Sequence, residues 1–219
     1  MAFYPPSRLQ TYISEPAIYP RLSKLFNKDT PNLSSRQLNV NMANPRVWLS
    51  KALSRRPLRM ISDEASPLVT GASSGFGRTL TESLLNQGEI VVATLRKPEV
   101  LQELSASYPE DKLLVLKVDV TNQADVDHAF ERTKEVFGRL DVVFNNAGSV
   151  GVLGEAEMIP IDSARAIFDV NFWGAVYVSR AAIKFFREVN ESGRGGVLLQ
   201  SSSAAGFMAL PVFSFYAAR

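Results

Sequence analysis

The sequence predicts an α/β fold with a doubly wound parallel sheet, and two observations lead to this prediction. From residue 68 onward, short apolar runs rich in β-branched residues alternate with longer segments whose apolar residues recur at helical spacing. The short runs lack the apolar–polar alternation of a strand with one solvated face, which indicates strands covered by helices on both sides. With 219 residues, of which 46% are hydrophobic, the chain can bury one such core.

The predicted elements follow one another in strand–helix order. Five strands are expected, at residues 68–70, 90–95, 113–118, 141–144 and 197–200. Four helices are expected between them: one that begins near Phe76, a short one opened by Pro98, one at residues 122–137 and a long one at residues 162–189. Phe76, Leu80 and Leu84 fall at i, i+4 and i+8, so they are expected to form one apolar helix face, which Gly88 then ends.

The loop after the first strand has the pattern of a phosphate-binding turn. Residues 70–77 read Thr-Gly-Ala-Ser-Ser-Gly-Phe-Gly and stand between a strand and an amphipathic helix. Glycines permit a tight turn and a close approach to a pyrophosphate, and unpaired N–H groups at the helix start favour an anion. The residues predicted to hold a dinucleotide here are Gly71, Ser73, Ser74, Gly75, Phe76 and Gly77.

The same loop also fits the nucleophile elbow of α/β-hydrolases. Residues 71–75 match G-x-S-x-G, which likewise joins a strand to a helix. That chemistry requires a histidine base, and the only histidine of the chain is His128. His128 stands in a charged segment with helical spacing, where a solvent-facing side chain is expected. The sequence therefore argues against the hydrolase interpretation.

Ser203 and Tyr216 indicate the chemistry. Ser203 opens the run Ser-Ala-Ala-Gly just behind the fifth strand, and Tyr216 follows 13 residues later. Together with the loop at residues 70–77, this segment and its spacing resemble the short-chain dehydrogenase/reductase family. The resemblance covers residues 68–219 and implies a Rossmann-type fold. Relative to that family the chain is expected to be C-terminally truncated, which leaves the sheet incomplete at its C-terminal edge.

The resemblance implies an oxidoreductase that transfers a hydride between NADP(H) and a carbonyl or alcohol substrate. Tyr216 is implied to exchange a proton with the substrate oxygen, Ser203 to hydrogen-bond that oxygen, and Asn171 to support a helix irregularity and a water linked to the family's lysine. The family pattern Y-x-x-x-K places this lysine at position 220, one past Arg219, and an arginine at i+3 differs from it in direction and shape. The alternative left open is a non-catalytic fragment or a nucleotide-binding interaction protein.

Arg96 bears on the choice between NAD and NADP. An NAD-preferring fold places Asp or Glu after the second strand, but here Thr94-Leu95-Arg96-Lys97 offers two cations and no acid. The planar guanidinium of Arg96 can bind a 2′-phosphate with two hydrogen bonds, which favours NADP. The alternative is that both cations are solvated loop charges.

Further positions take roles that the resemblance implies. Asp119 closes the third strand where the family's acid hydrogen-bonds the adenine amine, although an Asp that caps the next helix is an alternative. Asn145 and Asn146, in the run Asn-Asn-Ala-Gly, are implied to brace the sheet and to line the cofactor. Tyr216 is implied to contact the cofactor as well.

Residues 1–66 are predicted to be a largely disordered basic extension, ahead of a dinucleotide-binding domain at residues 67–219. Residues 1–61 hold 10 Lys and Arg against 2 Asp and Glu, whereas residues 62–219 hold 14 against 20. Residues 42–49 look like the natural start of such a reductase, with Val47–Leu49 as the beginning of strand one. Residues 50–67 would then be an insertion within that strand.

Composition excludes several other kinds of protein and site. The absence of cysteine excludes disulfides, a thiol nucleophile and Cys-type zinc sites, and no metal site is expected. No apolar run approaches the roughly 20 residues that cross a bilayer. The expected partner is a small-molecule carbonyl or alcohol substrate, with no nucleic acid and with a homo-oligomer through the long helix as one candidate assembly. A cytoplasmic location is expected, with a mitochondrial one as the alternative because the N-terminal segment is basic and acid-poor.

Overall fold

A computed structural model describes residues 65–208 and 210–218. Its five strands are β1 (Pro67–Thr70), β2 (Val91–Leu95), β3 (Leu113–Lys117), β4 (Val142–Asn145) and β5 (Val197–Gln200). All neighbouring strands pair in parallel, in the order β3-β2-β1-β4-β5. In this order strands are added first on one side of β1 and then on the other, which confirms the predicted doubly wound sheet.

Of the six helices among the described residues, five lie between strands in the chain, and the last one follows β5. They are α1 (Gly75–Leu85), α2 (Gln102–Ser107), α3 (Gln123–Phe137), α4 (Ile161–Phe168), α5 (Ala175–Glu188) and α6 (Ser214–Ala217). A π-helical segment, Asp169–Gly174, joins α4 to α5, so the predicted long helix is continuous but not uniform. Short 3₁₀ turns occupy Pro98–Leu101, Ala156–Met158 and Ala204–Gly206.

Local sequence explains the bounds of α3. The Asn122 side chain accepts a hydrogen bond from the Ala124 N–H at 3.0 Å, which satisfies a backbone donor of the first turn. Gly138 follows the last turn with a φ of +65°, a conformation that glycine adopts without steric cost, and its N–H reaches the Lys134 carbonyl. The predicted helix at residues 122–137 begins one residue earlier than the observed α3 and ends at the same residue.

The apolar residues form two layers, one on each face of the sheet. Strand residues Leu68, Val92, Leu114 and Val143 pack with α3 and α5 on one face. Their neighbours Val69, Val91 and Ala93 pack with Leu84 and Leu85 of α1 on the other. Because successive strand residues point to opposite faces, both layers draw on the same strands. Helices on both faces were expected from the unbroken apolar runs.

Phe76 departs from the sequence prediction. It was placed on one apolar face of the first helix with Leu80 and Leu84, but its side chain is 62% exposed, whereas Leu84 is 7% exposed. Phe76 is the second residue of α1, where the helix begins at the edge of the sheet, so its side chain has no core to pack against. The helical period predicted the face correctly and overestimated how far the core extends.

The start of β1 is fixed by a buried carboxylate. Asp141, only 3% exposed, accepts hydrogen bonds from the Ser66 N–H at 3.0 Å and from Arg194 Nε at 2.9 Å. These bonds tie together the beginnings of β1 and β4 and the turn before β5. The predicted disordered extension and the proposed strand at Val47–Leu49 lie outside the described residues, as does nearly all of the proposed insertion.

Candidate active site

The candidate site lies along the carboxyl edge of the sheet. In a parallel sheet all strands end at the same edge, and ligands of such folds bind there, next to the strand where the order reverses. A cavity of about 510 Å³ lies at this edge. Its lining includes seven of the predicted cofactor residues: Gly71, Ser73, Ser74, Phe76, Arg96, Asp119 and Asn146.

Three glycines of the first loop have different structural tasks. Gly71 has a φ of +68°, and a Cβ there would lie 2.9 Å from the Ala147 Cα. A Cβ on Gly77 would lie 2.3 Å from the Gly71 carbonyl oxygen, so only glycine lets α1 start this close to the turn. Gly75 has a φ of +55° and open space where its Cβ would point. The loop thus needs glycine for packing at positions 71 and 77 and for backbone conformation at 71 and 75.

Thr70 holds the glycine loop to the loop after β4. Its hydroxyl accepts hydrogen bonds from the Asn146 and Ala147 N–H groups, both at 2.9 Å, and the Asn146 side-chain amide donates to the Thr70 carbonyl at 2.9 Å. Sequence reasoning quoted Thr70 only as the first letter of the loop motif and missed this role. These contacts span about 76 positions in sequence, so only a paired motif at both loops could have signalled them.

Arg96 and Asp119 lie on the cavity wall at the ends of β2 and β3. Arg96 is exposed, and its guanidinium makes no hydrogen bond or ion pair with any described residue. Asp119 Oδ1 accepts from the Thr121 N–H at 3.0 Å and from the Thr121 hydroxyl at 2.8 Å. Asp119 therefore shapes the turn before α3, while the helix cap itself is Asn122.

The two asparagines at the end of β4, Asn145 as its last residue and Asn146 directly after it, divide the tasks predicted for them. Asn145 is buried, and its Nδ2 donates to the Ala175 carbonyl at 2.9 Å, to Gln200 Oε1 at 3.0 Å and to Ser179 Oγ at 3.3 Å. It thereby joins β4, β5 and α5 and is not among the cavity-lining residues. Asn146 does line the cavity. The bracing role falls on Asn145 and the cavity-facing position on Asn146.

Asn171 lies in the π-helical segment and grips the loop after β4. Its Oδ1 accepts from the Ser149 N–H at 2.8 Å, and its Nδ2 donates to the Ser149 carbonyl at 2.6 Å. Single π turns within α-helices recur at functional sites because they redirect a side chain. Here the irregularity aims an amide at the loop that carries Ser149, Gly151 and Val152 along the cavity wall. Sequence reasoning did not single out these three lining residues.

Ser203 and Tyr216 reach the same edge from the end of β5. The Ser201 N–H bonds to the Asn145 carbonyl at 3.0 Å and extends the ladder toward Ser203. Ser203 Oγ accepts from the Ala205 N–H at 3.2 Å and caps the 3₁₀ turn that follows. Tyr216 is half-buried in α6, which packs against α4 and that 3₁₀ turn. Neither residue is among the side chains that line the 510 Å³ cavity.

Other chemistries find little support in the described residues. His128 is exposed on α3, as expected from the charged helical segment in which it stands. Residues 65–208 and 210–218 contain no group of three or more metal-ligating side chains that could hold an ion. Within the same ranges, no helix has both the length and the apolarity to cross a bilayer.

A Gly-rich turn between β1 and α1, at the strand where the sheet order reverses, defines an α/β dinucleotide-binding domain. Residues 67–219 match the family model of the short chain dehydrogenases. The chain belongs to the short-chain dehydrogenase/reductase family, as the resemblance implied.

Individual relatives agree with this assignment. The chain is similar to an uncharacterised oxidoreductase of Schizosaccharomyces pombe, 40% identical over 157 residues, which are 72% of this chain and 51% of that protein. It is similar in structure to the 3-ketoacyl-(acyl-carrier-protein) reductase of Brucella melitensis complexed with NADH, with a TM-score of 0.66, 30% identity, and coverage of 72% of this chain and 65% of that one. It is also similar to the closed form of a serine dehydrogenase complexed with NADP⁺, with a TM-score of 0.64, 31% identity, and coverage of 70% and 60%. The chain spans about half the length of the curated relatives it matches.

Proposed function

We propose that the protein is an NADP(H)-dependent oxidoreductase that interconverts a carbonyl compound and an alcohol. The observation that carries this proposal is the convergence of the glycine loop, Arg96, Asn171, Ser203 and Tyr216 on one edge of the sheet. The alternative, a non-catalytic fragment or a nucleotide-binding interaction protein, would need the cavity but neither Ser203 nor Tyr216, and the similarity to oxidoreductases does not favour it.

The residues of the cavity fit a nicotinamide dinucleotide. The positive φ angles of Gly71 and Gly75 turn the loop so that the start of α1 faces the cavity, and helix starts favour a pyrophosphate. Ser73 and Ser74 are exposed and bring hydroxyl groups to the same place. Asp119 and Asn146 supply polar groups to the walls. When bound here, the cofactor would supply or accept the hydride.

Arg96 supports NADP(H) over NAD(H). It is an exposed cation on the cavity wall without a partner among the described residues, which suits a 2′-phosphate. The similar solved structures include one complex with NADH and one with NADP⁺, so fold similarity alone does not choose between the two. The choice rests on the charge at this position.

The chain's own groups would handle the substrate oxygen and its proton. In the reducing direction, the Ser203 hydroxyl donates a hydrogen bond that orients the carbonyl oxygen and stabilises its developing charge. Tyr216 transfers its phenolic proton to that oxygen, and the resulting phenolate recovers a proton from solvent. Asn171 acts as a positioning residue, because it fixes the loop that carries the cavity-lining Ser149.

Cofactor titration tests the role of Arg96. We expect the unmodified protein to bind NADPH more tightly than NADH, by about tenfold or more, since a charge-assisted hydrogen bond contributes roughly 1.5–3 kcal/mol. Arg96→Asp should erase or reverse that preference, whereas Lys97→Asp, the matched charge change one residue on, should reduce it far less. Equal affinity of the unmodified protein for both cofactors would contradict the proposed specificity.

We also propose a homo-oligomer that pairs through the long helix. Phe172, Trp173 and Ile183 are 45%, 48% and 49% exposed along this helix, an apolar surface that a second copy would cover. Sedimentation of the protein and of Trp173→Glu tests this, with a smaller species expected for the variant. A cytoplasmic location stays a prediction, with mitochondria as the alternative.

A further inference from the structure

We propose that the substrate is an uncharged, apolar carbonyl compound, held by a rim of exposed apolar side chains beside the cavity. This proposal rests on the proposed function and narrows its substrate class. The rim, called here the apolar rim, consists of Val150, Val152 and Leu153 from the loop after β4 and Phe207, Met208, Leu210 and Val212 from the loop before α6. Their exposed fractions range from 37% for Leu210 to 93% for Phe207.

The apolar rim lies next to the groups assigned to the reaction. Val152 lines the cavity, and its loop is anchored by the bonds between Ser149 and Asn171. The Gly154 N–H donates to the Val212 carbonyl at 3.1 Å, which joins the two loops of the rim into one wall. The second loop runs directly from Ser203 to Tyr216. We therefore assign the remaining atoms of a substrate whose carbonyl meets these two residues to the rim.

The charge pattern sets the polarity of that substrate. Residues 142–154 and 195–218 contain no Asp, Glu, Lys, Arg or His, although they carry both loops of the rim. The charged residues that follow the first loop, Glu155 and Glu157, are acidic and exposed. The next cation along the chain, Arg165, pairs with Asp162 at 3.3 Å. Arg219 is the first cation after the second range. Within the two ranges themselves there is no cation to bind a carboxylate or phosphate, in contrast to the cavity wall with Arg96.

The backbone at Val212 indicates that the rim has a defined shape. Val212 has a φ of +62°, a region that β-branched residues rarely enter. Such strain persists only where surrounding contacts determine the conformation, and it concentrates at ligand clamps and active sites. Here the carbonyl of the strained residue is the group that links the two loops.

A membrane surface is the main competing occupant of the rim. Exposed apolar patches on soluble proteins mark partner, membrane or ligand sites. Helices that bind membrane surfaces combine such residues with Lys and Arg, which meet anionic lipids. Neither loop of the rim has a basic residue, and the rim is continuous with a cavity through Val152. Both observations favour a small apolar ligand.

A series of methyl ketones of increasing length tests the proposal, with the 219-residue chain and NADPH. From 2-butanone to 2-octanone we expect kcat/KM to rise by roughly 2- to 4-fold per methylene, as expected when apolar surface leaves water. The matched anion 7-oxooctanoate should react at least about tenfold less efficiently than 2-octanone, because its carboxylate would meet apolar side chains. A flat series, or equal rates for 2-octanone and 7-oxooctanoate, would overturn the substrate class and leave the oxidoreductase function standing. Failure to reduce any carbonyl compound would overturn both.

Matched variants locate the effect. Val150→Ser and Phe207→Ser should each lower the ratio of kcat/KM for 2-octanone to that for 2-butanone by about threefold or more. Val100→Ser should leave this ratio unchanged, since Val100 is as exposed as Val150 (47% against 44%) but follows β2, outside the rim and the cavity lining. An equal response of all three variants would contradict the proposal. So would binding to neutral phosphatidylcholine vesicles, or self-association, that Phe207→Ser removes while the substrate ratio stays constant.

Discussion

Two regions of this domain are built differently: β1, β2 and the loops after them, proposed to bind the cofactor and called here the cofactor half, and the segment from β5 to α6, proposed to carry the reaction and called here the reactive half. Every residue of β1 and β2 is buried. The glycine loop contacts the loop after β4 so closely that a Cβ on Gly71 would not fit. At β5 the strand is only half-buried, and the segment that carries Ser203 and Tyr216 exposes most of its side chains. The comparison teaches that the cofactor half is fixed by close packing, while the reactive half is held mainly by hydrogen bonds within its loops.

The largest expected effect concerns the reactive half. Tyr216→Phe in the full-length protein should lower kcat/KM for carbonyl reduction by about 10²- to 10⁴-fold, the range that general acids contribute. The folded structure should persist, because only one hydroxyl is lost. Steady-state kinetics and a thermal melt measure the two quantities.

Tyr177→Phe is the control for this variant. Tyr177 is also half-buried, but it packs beside Trp173 on α5, with ring centroids 6.4 Å apart, and has no assigned role in the reaction. Its loss of hydroxyl should leave kcat/KM within about twofold. Equal losses in the two variants would remove Tyr216 from its proposed role.

A glycine-to-alanine substitution in each half tests whether the two halves differ in packing. The comparison fails if both substitutions have the same effect on stability. Gly77→Ala places a Cβ 2.3 Å from the Gly71 carbonyl, so backbone must move, and such overpacking costs about 1–3 kcal/mol. The gain in helix propensity, ~1 kcal/mol, is smaller. Gly206→Ala, behind Ser203, adds a Cβ in open space and should change the free energy of unfolding by less than about 0.5 kcal/mol.

Denaturant unfolding and NADPH titration of these two alanine variants provide the measurement. Gly77→Ala should lose stability and cofactor affinity together, since the same loop would serve both. Equal stability of the two variants would show that the cofactor half is less tightly packed than its geometry indicates.

The smallest expected effect sharpens the comparison at the rim. Val212→Gly removes the strain of a β-branched residue at positive φ, about 1–2 kcal/mol, against an entropic cost of glycine near 0.5–1 kcal/mol. A net stabilisation of a few tenths to about 1 kcal/mol is expected by urea unfolding. Val150→Gly, in the other loop of the rim and outside the positive-φ region, should instead destabilise. A loss of stability in both variants would mean that the Val212 side chain is held by packing.

The sequence predicted the features that depend on local chemistry. Strand bounds fell within one residue of those observed, because short β-branched runs between turns have few alternatives. The ends of α3 were predicted to within one residue, and in the structure Asn122 and Gly138 cap it through adjacent backbone groups. The glycine loop was readable because its backbone conformation requires glycine at fixed positions.

The features that it missed depend on contacts between distant segments. The role of Thr70 requires knowing that residues 146 and 147 lie beside it. Ser149 and Val152 have no distinctive chemistry in the sequence and become cavity-lining residues because Asn171 holds their loop. The exposure of Phe76 reflects where the core ends, which a helical period does not encode.

Isotope transfer tests the central claim of a hydride-transferring oxidoreductase most directly. The 219-residue chain would be incubated with a ketone and with NADPH that carries deuterium at both hydrogen positions of the nicotinamide C4. The alcohol would then be analysed by mass spectrometry. The account predicts one deuterium on the carbinol carbon, and at least about 100-fold slower product formation when Tyr216 is replaced by Phe. An alcohol without deuterium, or equal product from Tyr216→Phe, would contradict it.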